Sequence, residues 1–356
     1  MTNYGEREVL TVGKYYDGTK LLSLLDINGN KPEIYICTSN RSAGKTTYFN
    51  RLFVKRFLDK GEKFMLLYRF KYELDNCHEM FFKDIQTLFF PNMEMTSQQK
   101  SKGAYRELYL NGEPCGYAVS INSADNIKKH SHEFSDTKRI LFDEFQSETN
   151  MYCADEVRKF ISIHTSVARG QGKFVRYVPV YMISNPVTIL NPYYVEMGIT
   201  DRLNDNTKFL RGNGYVLEQG YVESASKAQR NSGFNKAFSG NEYVAYSAES
   251  IYLNDNKIFI EKVEGKSRYM ATIKYNNVNY GVRCFDEQGI VYCDNRADMS
   301  FPVKISVTLS DHNVNYVMLK NNAFLIDVLR YYFTHGCFRF KNQKCKEAVL
   351  NLLKYK

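Results

Sequence analysis

Residues 34–46 read Ile34-Tyr35-Ile36-Cys37-Thr38-Ser39-Asn40-Arg41-Ser42-Ala43-Gly44-Lys45-Thr46. A short apolar run enters a small polar loop that closes on Gly-Lys-Thr. Beyond it, Phe49, Leu52, Phe53, Arg56 and Phe57 recur at helical spacing, and Gly61 marks the stop. Strand, tight loop and helix in that order suit a nucleoside triphosphate, because loop amides and the helix N-terminus point at the phosphates. On this reading Asn40, Arg41, Ser42, Ala43, Gly44, Lys45, Thr46 and Thr47 wrap the nucleotide. Lys45 reaches the β- and γ-phosphates, and the Thr46 hydroxyl ligates Mg²⁺. The usual pattern opens with Gly; here that position is Ser39, so a residue with a Cβ must meet the turn. The competing reading is an ordinary strand–turn–helix.

A second segment, Arg139-Ile140-Leu141-Phe142-Asp143-Glu144, is an apolar run that ends in two acids. A buried strand ends in paired carboxylates only where they meet water, a metal or a cation. Behind a Gly-Lys-Thr loop, Asp143 is expected in the Mg²⁺ shell and Glu144 as the general base on the attacking water. A base beside the metal favours hydrolysis over switching.

The chain has 356 residues, which sets a prior of about two domains, and 44% hydrophobic residues suffice for proper cores. The formal charge of +9 suits a polyanionic partner. Residues 241–356 hold 16 Lys+Arg against 12 Asp+Glu, a net of +4 (16 − 12). Arg339, Lys341, Lys344 and Lys346 are the candidate DNA contacts there; the bland alternative is a solvated helix face. The 8 Cys are scattered without a Cys-x-x-Cys pair, and no signal peptide opens the chain, so free thiols in a reducing cytoplasm are expected. His130 and His132 lack the company of a metal site. No apolar run reaches the ~18 residues of a membrane helix, and no membrane partner is expected.

The first two hundred residues alternate strand and helix signals, which argues for an α/β sheet covered by helices. Strands are expected at 63–68, 107–110, 115–121, 140–142 and 177–183, and helices at 76–90 and 154–168. Composition then shifts to Asn, Gly, Ser and Gln, read as a linker over 206–242 with a short helix near 224–230. Four further strands (257–263, 267–275, 278–285, 290–294) and two helices (321–334, 344–354) predict an α+β second domain over 243–356.

This order of motifs resembles the DNA-packaging ATPases of phi29-like bacteriophages, the encapsidation proteins. The resemblance runs over nearly the whole chain. It is carried by Arg41–Thr46, by Gly61-Glu62-Lys63-Phe64 with Tyr68-Arg69-Phe70-Lys71-Tyr72-Glu73-Leu74, and by Phe142-Asp143-Glu144-Phe145. Val167-Ala168-Arg169 and Ser184-Asn185 with Asn191-Pro192-Tyr193 add to it. It implies an α/β fold: a P-loop ATPase domain of the additional-strand, catalytic-glutamate class over 1–205, then a smaller α+β RNase H-like domain without nuclease activity. It further implies ATP and Mg²⁺ as cofactors and a homomeric ring, a pentamer in the family. That ring docks transiently at the portal of a prohead, with a structural packaging RNA among the possible partners, and moves double-stranded viral DNA inward.

By position, Arg169 matches an arginine finger that acts in trans. Lys129 falls near a second basic residue that acts across the interface, although Lys128 or His130 compete for that place. From the residues alone, Arg169 ends a helical stretch before Gly170-Gln171-Gly172, where a cation opposing the helix dipole is the alternative. Ser184 and Asn185 at a strand end suit a γ-phosphate sensor, and Arg69 suits a residue that positions Glu144 or, failing that, a surface salt bridge. The segment 170–176 is longer than its family counterpart. Asp286, Asp294 and Asp298 do not fall into a recognisable nuclease set. The rival readings are another translocase or helicase, and a nucleotide-dependent assembly switch that does no mechanical work.

Overall fold

The computed structural model describes residues 15–149, 151–170, 173–200, 202–203, 207–249, 259–318 and 322–354. The chain divides into two compact units, Met1–Asn254 and Asp255–Lys356.

In the first unit, β1 (Ile34–Thr38) is the predicted strand, buried from Tyr35 on. It feeds α1's successor in the chain: α1 (Thr19–Ser23) precedes it and α2 (Lys45–Lys60) follows the loop. Gly61 closes α2 in the left-handed conformation at φ +64°, donating its amide to Phe57. The strands β2 (Phe64–Tyr68), β3 (Met95–Lys100), β4 (Tyr105–Leu110), β5 (Glu113–Ser120) and β6 (Arg139–Asp143) come next. Helices α3 (Cys77–Phe89), α4 (Ala124–Lys129) and α5 (Glu156–Val167) are interleaved with them. A separate hairpin, β7 (Arg169–Gly170) with β8 (Lys173–Val175), leads into β9 (Val180–Ser184) and α6 (Pro192–Glu196).

Nine strands make one sheet in the order β10-β11-β1-β9-β6-β2-β5-β4-β3, where β10 is Phe209–Gly212 and β11 is Tyr215–Gln219. From β11 to β5 all neighbours are parallel, so the loops of catalytic interest gather at one edge. The hairpin β4–β5 turns on Asn111 and Gly112, both at positive φ (50° and 82°), as an Asn-Gly turn requires. Two cores flank the sheet. One joins α2 and α3 to Tyr35, Leu66 and Tyr181; the other joins α5 and α6 to Ile36, Phe142 and Met182.

Residues 206–242, expected as a linker, depart from that expectation. Residues 209–219 add the antiparallel pair β10–β11 to the sheet, and β11 lies parallel against β1. The Asn-Gly punctuation at 212–214 is the tight turn of a hairpin, not slack chain. Helices α7 (Glu223–Asn231), α8 (Gly233–Ala237) and α9 (Glu242–Glu249) follow within the same unit.

The second unit holds a six-stranded sheet, order β16-β15-β12-β13-β14-β17. Here β12 is Arg268–Tyr275, β13 Val278–Phe285, β14 Ile290–Asp294, β15 Lys304–Ser306, β16 Val317–Met318 and β17 Phe338–Phe340. An antiparallel meander β12–β13–β14 is extended by parallel β15 and β16, the order of an RNase H-like sheet. The α10 (Ala323–Thr334) and α11 (Gln343–Lys354) helices cover it through Leu329, Cys345, Ala348, Val349 and Leu352. Of the strand expected over 257–263, residues 257–258 lie outside the described residues, and Ile260 bridges Phe340. No described helix is long and apolar enough to cross a membrane.

Candidate active site

The loop after β1 is buried at its entrance: Ser39 and Asn40 are fully enclosed. The left-handed turn does not fall on Ser39. It falls on Ser42 (φ 60°) and on Gly44 (φ 93°), the N-cap of α2. Ser39 is not among the residues at positive φ, so its Cβ meets no backbone penalty where the usual pattern has Gly.

Lys45 is buried, and its Nζ donates to Asn185 Oδ1 at 2.6 Å. Burial lowers the Lys45 pKa, while Asp143 opposes that shift. Asp143 ends β6 opposite this lysine. Desolvation pushes its carboxyl up to about 6; Lys45 and a Thr46 hydrogen bond pull it down, and Glu144 pushes it further up. Hydroxyl and carboxylate therefore already meet, the hard-oxygen donor pair that Mg²⁺ prefers. These residues fit the metal that the sequence implied.

Glu144 takes φ +52°, a left-handed conformation that costs a side-chain-bearing residue about 1–2 kcal/mol. Its amide donates to Asp143 Oδ1 (2.8 Å). Arg69 holds the turn from the other side: Nη1 donates to the Glu144 carbonyl (3.3 Å) and Nη2 to that of Phe145 (2.7 Å). Arg69 is no surface salt bridge. It is buried, its Nε donates to both Glu156 oxygens (3.1 and 3.0 Å), and its guanidinium lies over the rings of Tyr152 and Phe142. Burial disfavours the Arg69 charge, and Glu156 overcomes that. Glu156 also accepts from Tyr193 Oη (2.8 Å) and from the Cys153 amide (2.7 Å). Nothing local marks Glu156 in the sequence. Its importance comes from neighbours 87 and 37 residues away.

A second set of contacts escaped the sequence reading. Asn40 exchanges hydrogen bonds with both backbone groups of Val222, and the Arg41 amide donates to the Ser247 carbonyl. Gln229 donates to Ser42 Oγ at 2.9 Å. Arg41 pairs with Glu148 (3.0 Å) and donates to Tyr243 Oη (2.6 Å); Tyr246 donates to the same Glu148. Residues α7–α9 thereby rest on the phosphate loop. Arg41, Arg69, Glu144, Glu148, Ser184 and Asn185 share one cleft. Ser184 turns its hydroxyl to the Asn185 carbonyl, and Asn185 engages Lys45, so of this pair it is Asn185 whose side chain meets the lysine of the loop.

Arg169 stands apart. It follows α5, whose N-terminus carries Glu156 and whose 12 residues span about 18 Å. The far end of α5 lies by the entries of β6 and β9: Arg176 donates to the Thr137 carbonyl (3.0 Å), and His164 contacts the Val178 carbonyl (2.9 Å). Arg169 is exposed, with no hydrogen-bond or ion-pair partner for its guanidinium among the described residues. Lys129 is likewise exposed at the end of α4, whereas Lys128 neighbours Asp125 and His130 pairs with Glu133.

In the second unit, Arg339 pairs with Glu261, and Lys341 donates to Asn295. Lys346 is buried, and burial lowers its pKa. It sits in the first turn of α11 beside buried Cys345, so it departs from the expected surface grip. Asp294 is buried between Arg283 and Arg296, Asp286 pairs with Arg268, and Asp298 caps Ser300. No group of three or more candidate metal ligands occurs among the described residues.

A family model for the podovirus DNA encapsidation protein (Gp16) matches residues 12–356. The DNA packaging protein of Bacillus phage phi29 is 27% identical over 318 residues, spanning 88% of this chain and 91% of that protein. That of Bacillus phage B103 is 28% identical over 323 residues, spanning 88% and 94%. Among solved structures, the bacteriophage phi29 viral genome packaging motor assembly aligns with a TM-score of 0.70 at 25% identity, covering 96% of this chain and 99% of that one. With a phosphate loop, an acidic strand end and a second, RNase H-like sheet in the order this likeness demands, the chain belongs to the podovirus DNA encapsidation protein family, the genome-packaging ATPases of bacteriophages.

Proposed function

We propose that the chain is the ATP-hydrolysing subunit of a homomeric ring, a pentamer, that drives double-stranded viral DNA through the portal into a prohead. The observation that carries the mechanism is the convergence of Lys45, Thr46, Asp143 and Glu144 at one sheet edge, while the Arg169 guanidinium stands exposed near the opposite edge. Lys45 neutralises the β- and γ-phosphates. Thr46 and Asp143 would hold Mg²⁺, which screens phosphate charge when bound. Glu144 takes a proton from water, and Asn185, released from Lys45 by the arriving phosphate, orients that water. An arginine about one helix length from its own Glu144 cannot serve its own site. Arg169 therefore serves the next subunit's, where a guanidinium in trans is worth about 10³–10⁵ in rate. Lys129 would act across the same interface.

DNA contact is assigned to Arg339, Lys341 and Lys344, directed at phosphates because a packaging motor accepts every sequence. Asp286 and Asp294 are held by arginines and Asp298 caps Ser300, so no nuclease chemistry is assigned to these acids. Steady-state ATPase measured with the full chain tests the reading. Turnover should rise when empty proheads and DNA are both added, with ATP-dependent protection of genome-length DNA from nuclease. Turnover indifferent to proheads, or strand separation on a forked duplex, would favour a different translocase.

A further inference from the structure

The hairpin β7–β8 is a two-stranded sheet of its own, joined to neither large sheet. Such a hairpin is marginal unless something packs on it. Phe174 is 102% exposed and Val175 72% exposed. Single exposed apolar residues are ordinary, but these two are adjacent and sit on the element that carries Arg169. Val175 pairs with Arg169 across the hairpin, and the register shifts beside that pair, leaving Phe174 as the extra residue of a bulge.

The hairpin is anchored at its base. Arg176 anchors the base through the Thr137 carbonyl (3.0 Å) and the Val167 carbonyl (2.6 Å), and its amide donates to the Ala168 carbonyl (2.7 Å). An anchored projection that exposes two adjacent apolar side chains beside a cation suits reception by something outside the subunit.

We infer that the β7–β8 hairpin docks on a second copy of this chain, with Phe174 as its apolar anchor, on the side that carries the phosphate loop. This rests on the in-trans role proposed for Arg169, since one short hairpin cannot deliver its arginine to a site without its neighbouring residues touching that surface. The receiving side has matching apolar surface. Phe234 and Phe238 are 74% and 52% exposed, with rings 5.1 Å apart. They lie beside the loop, because Asn235 bonds Gln229 and Gln229 bonds Ser42. Hairpin on one side and receiving patch on the other make a head-to-tail contact, the kind of interface from which a closed ring is built when the rotation between subunits closes.

Two measurements on the full chain test this. First, ATPase activity on empty proheads with DNA is titrated against protein concentration. Phe174→Ser should raise the half-saturating concentration about tenfold or more, with turnover at saturation close to that of the unaltered chain. Arg169→Ala should instead remove turnover at every protein concentration, with co-sedimentation on proheads unchanged. Second, p-benzoylphenylalanine is placed at position 174 and irradiated in assembled particles. Adducts should map to residues 221–247 or to the phosphate loop of another copy. A half-saturation unchanged in Phe174→Ser overturns the proposal. So does an adduct to DNA, to the portal protein or elsewhere on the chain, or the absence of any adduct in particles that package DNA. Adducts at 221–247 with no activity in mixtures of Lys45→Ala and Arg169→Ala would instead leave the docking in place and remove the arginine's role.

Discussion

On the proposed mechanism Lys45, Asp143 and Glu144 divide one reaction among three charges, and each leaves its own signature. Lys45→Ala should abolish hydrolysis with the fold intact by circular dichroism, since it removes the buried charge proposed to meet the phosphates. Glu144→Gln should keep nucleotide affinity within a few-fold and lose at least about 10²-fold in turnover, because an amide accepts no proton. Asp143→Ala should weaken Mg²⁺-ATP binding instead; equal binding losses in the two variants would contradict the division. Acidity adds a second check. An ordinary aspartate with a value of 3.8 stays ionised down to about pH 4, but Asp143 is raised to about 6. Protons and Mg²⁺ compete for it, so Mg²⁺-ATP affinity, measured by titration calorimetry, should fall as pH drops through 6, and affinity level down to pH 5 would argue against it. Behind the site, Glu156 holds Arg69 and Arg69 holds the strained Glu144 turn. Glu156→Gln breaks a buried ion pair and should cost about 3–5 kcal/mol by urea unfolding, with turnover falling more than nucleotide affinity. Lys45 and Asp143 were legible in the sequence because their motifs are local. Glu156 was not, because three of its four contacts come from residues far along the chain or on another element.

At the scale of elements, legibility followed apolar pattern and turn chemistry. The helix after the loop ends at Gly61 as read, and the Asn111-Gly112 and Asn276-Asn277 turns join the strands they were expected to join. Strand β3, Met-Thr-Ser-Gln-Gln-Lys, has no apolar alternation: it is an edge strand held by its ladder to β4, a tertiary fact with no local signal. The same holds for β15 and β16, which are too short to show a period. Strands β10 and β11 were hidden by the Asn and Gly around them, although Tyr215, Val216 and Leu217 are buried against β1. Arg169 was legible as a residue that follows a helix. Its mounting on a separate hairpin, fixed by Arg176, was not.

For the whole molecule, the boundary at Asn254 changes where the chain can be divided. A fragment ending at 205 loses β10–β11 and every contact that α7–α9 make to Asn40, Arg41 and Ser42. A fragment of residues 1–254 should fold cooperatively and bind ATP, and one of residues 1–205 should not; equal thermal transitions and equal nucleotide affinity would refute that. The second unit, residues 255–356, should bind duplex DNA without sequence preference, its affinity falling with salt at a slope of about −0.9 per phosphate contacted. Neutralising Arg339, Lys341 and Lys344 should flatten that slope in fluorescence anisotropy, whereas changing buried Lys346 should affect stability. A slope unchanged by the first three would move the grip to the first unit. On the proposed mechanism each site is completed by the next subunit. Lys45→Ala keeps its arginine and Arg169→Ala keeps its phosphate loop, so a mixed ring contains interfaces with the sound half of each. The measurement is ATP turnover on proheads with DNA against mole fraction at fixed total protein. Partial activity peaking at intermediate mixtures of two inactive chains is the result expected, and zero turnover at every ratio, in rings confirmed to be mixed, would contradict it.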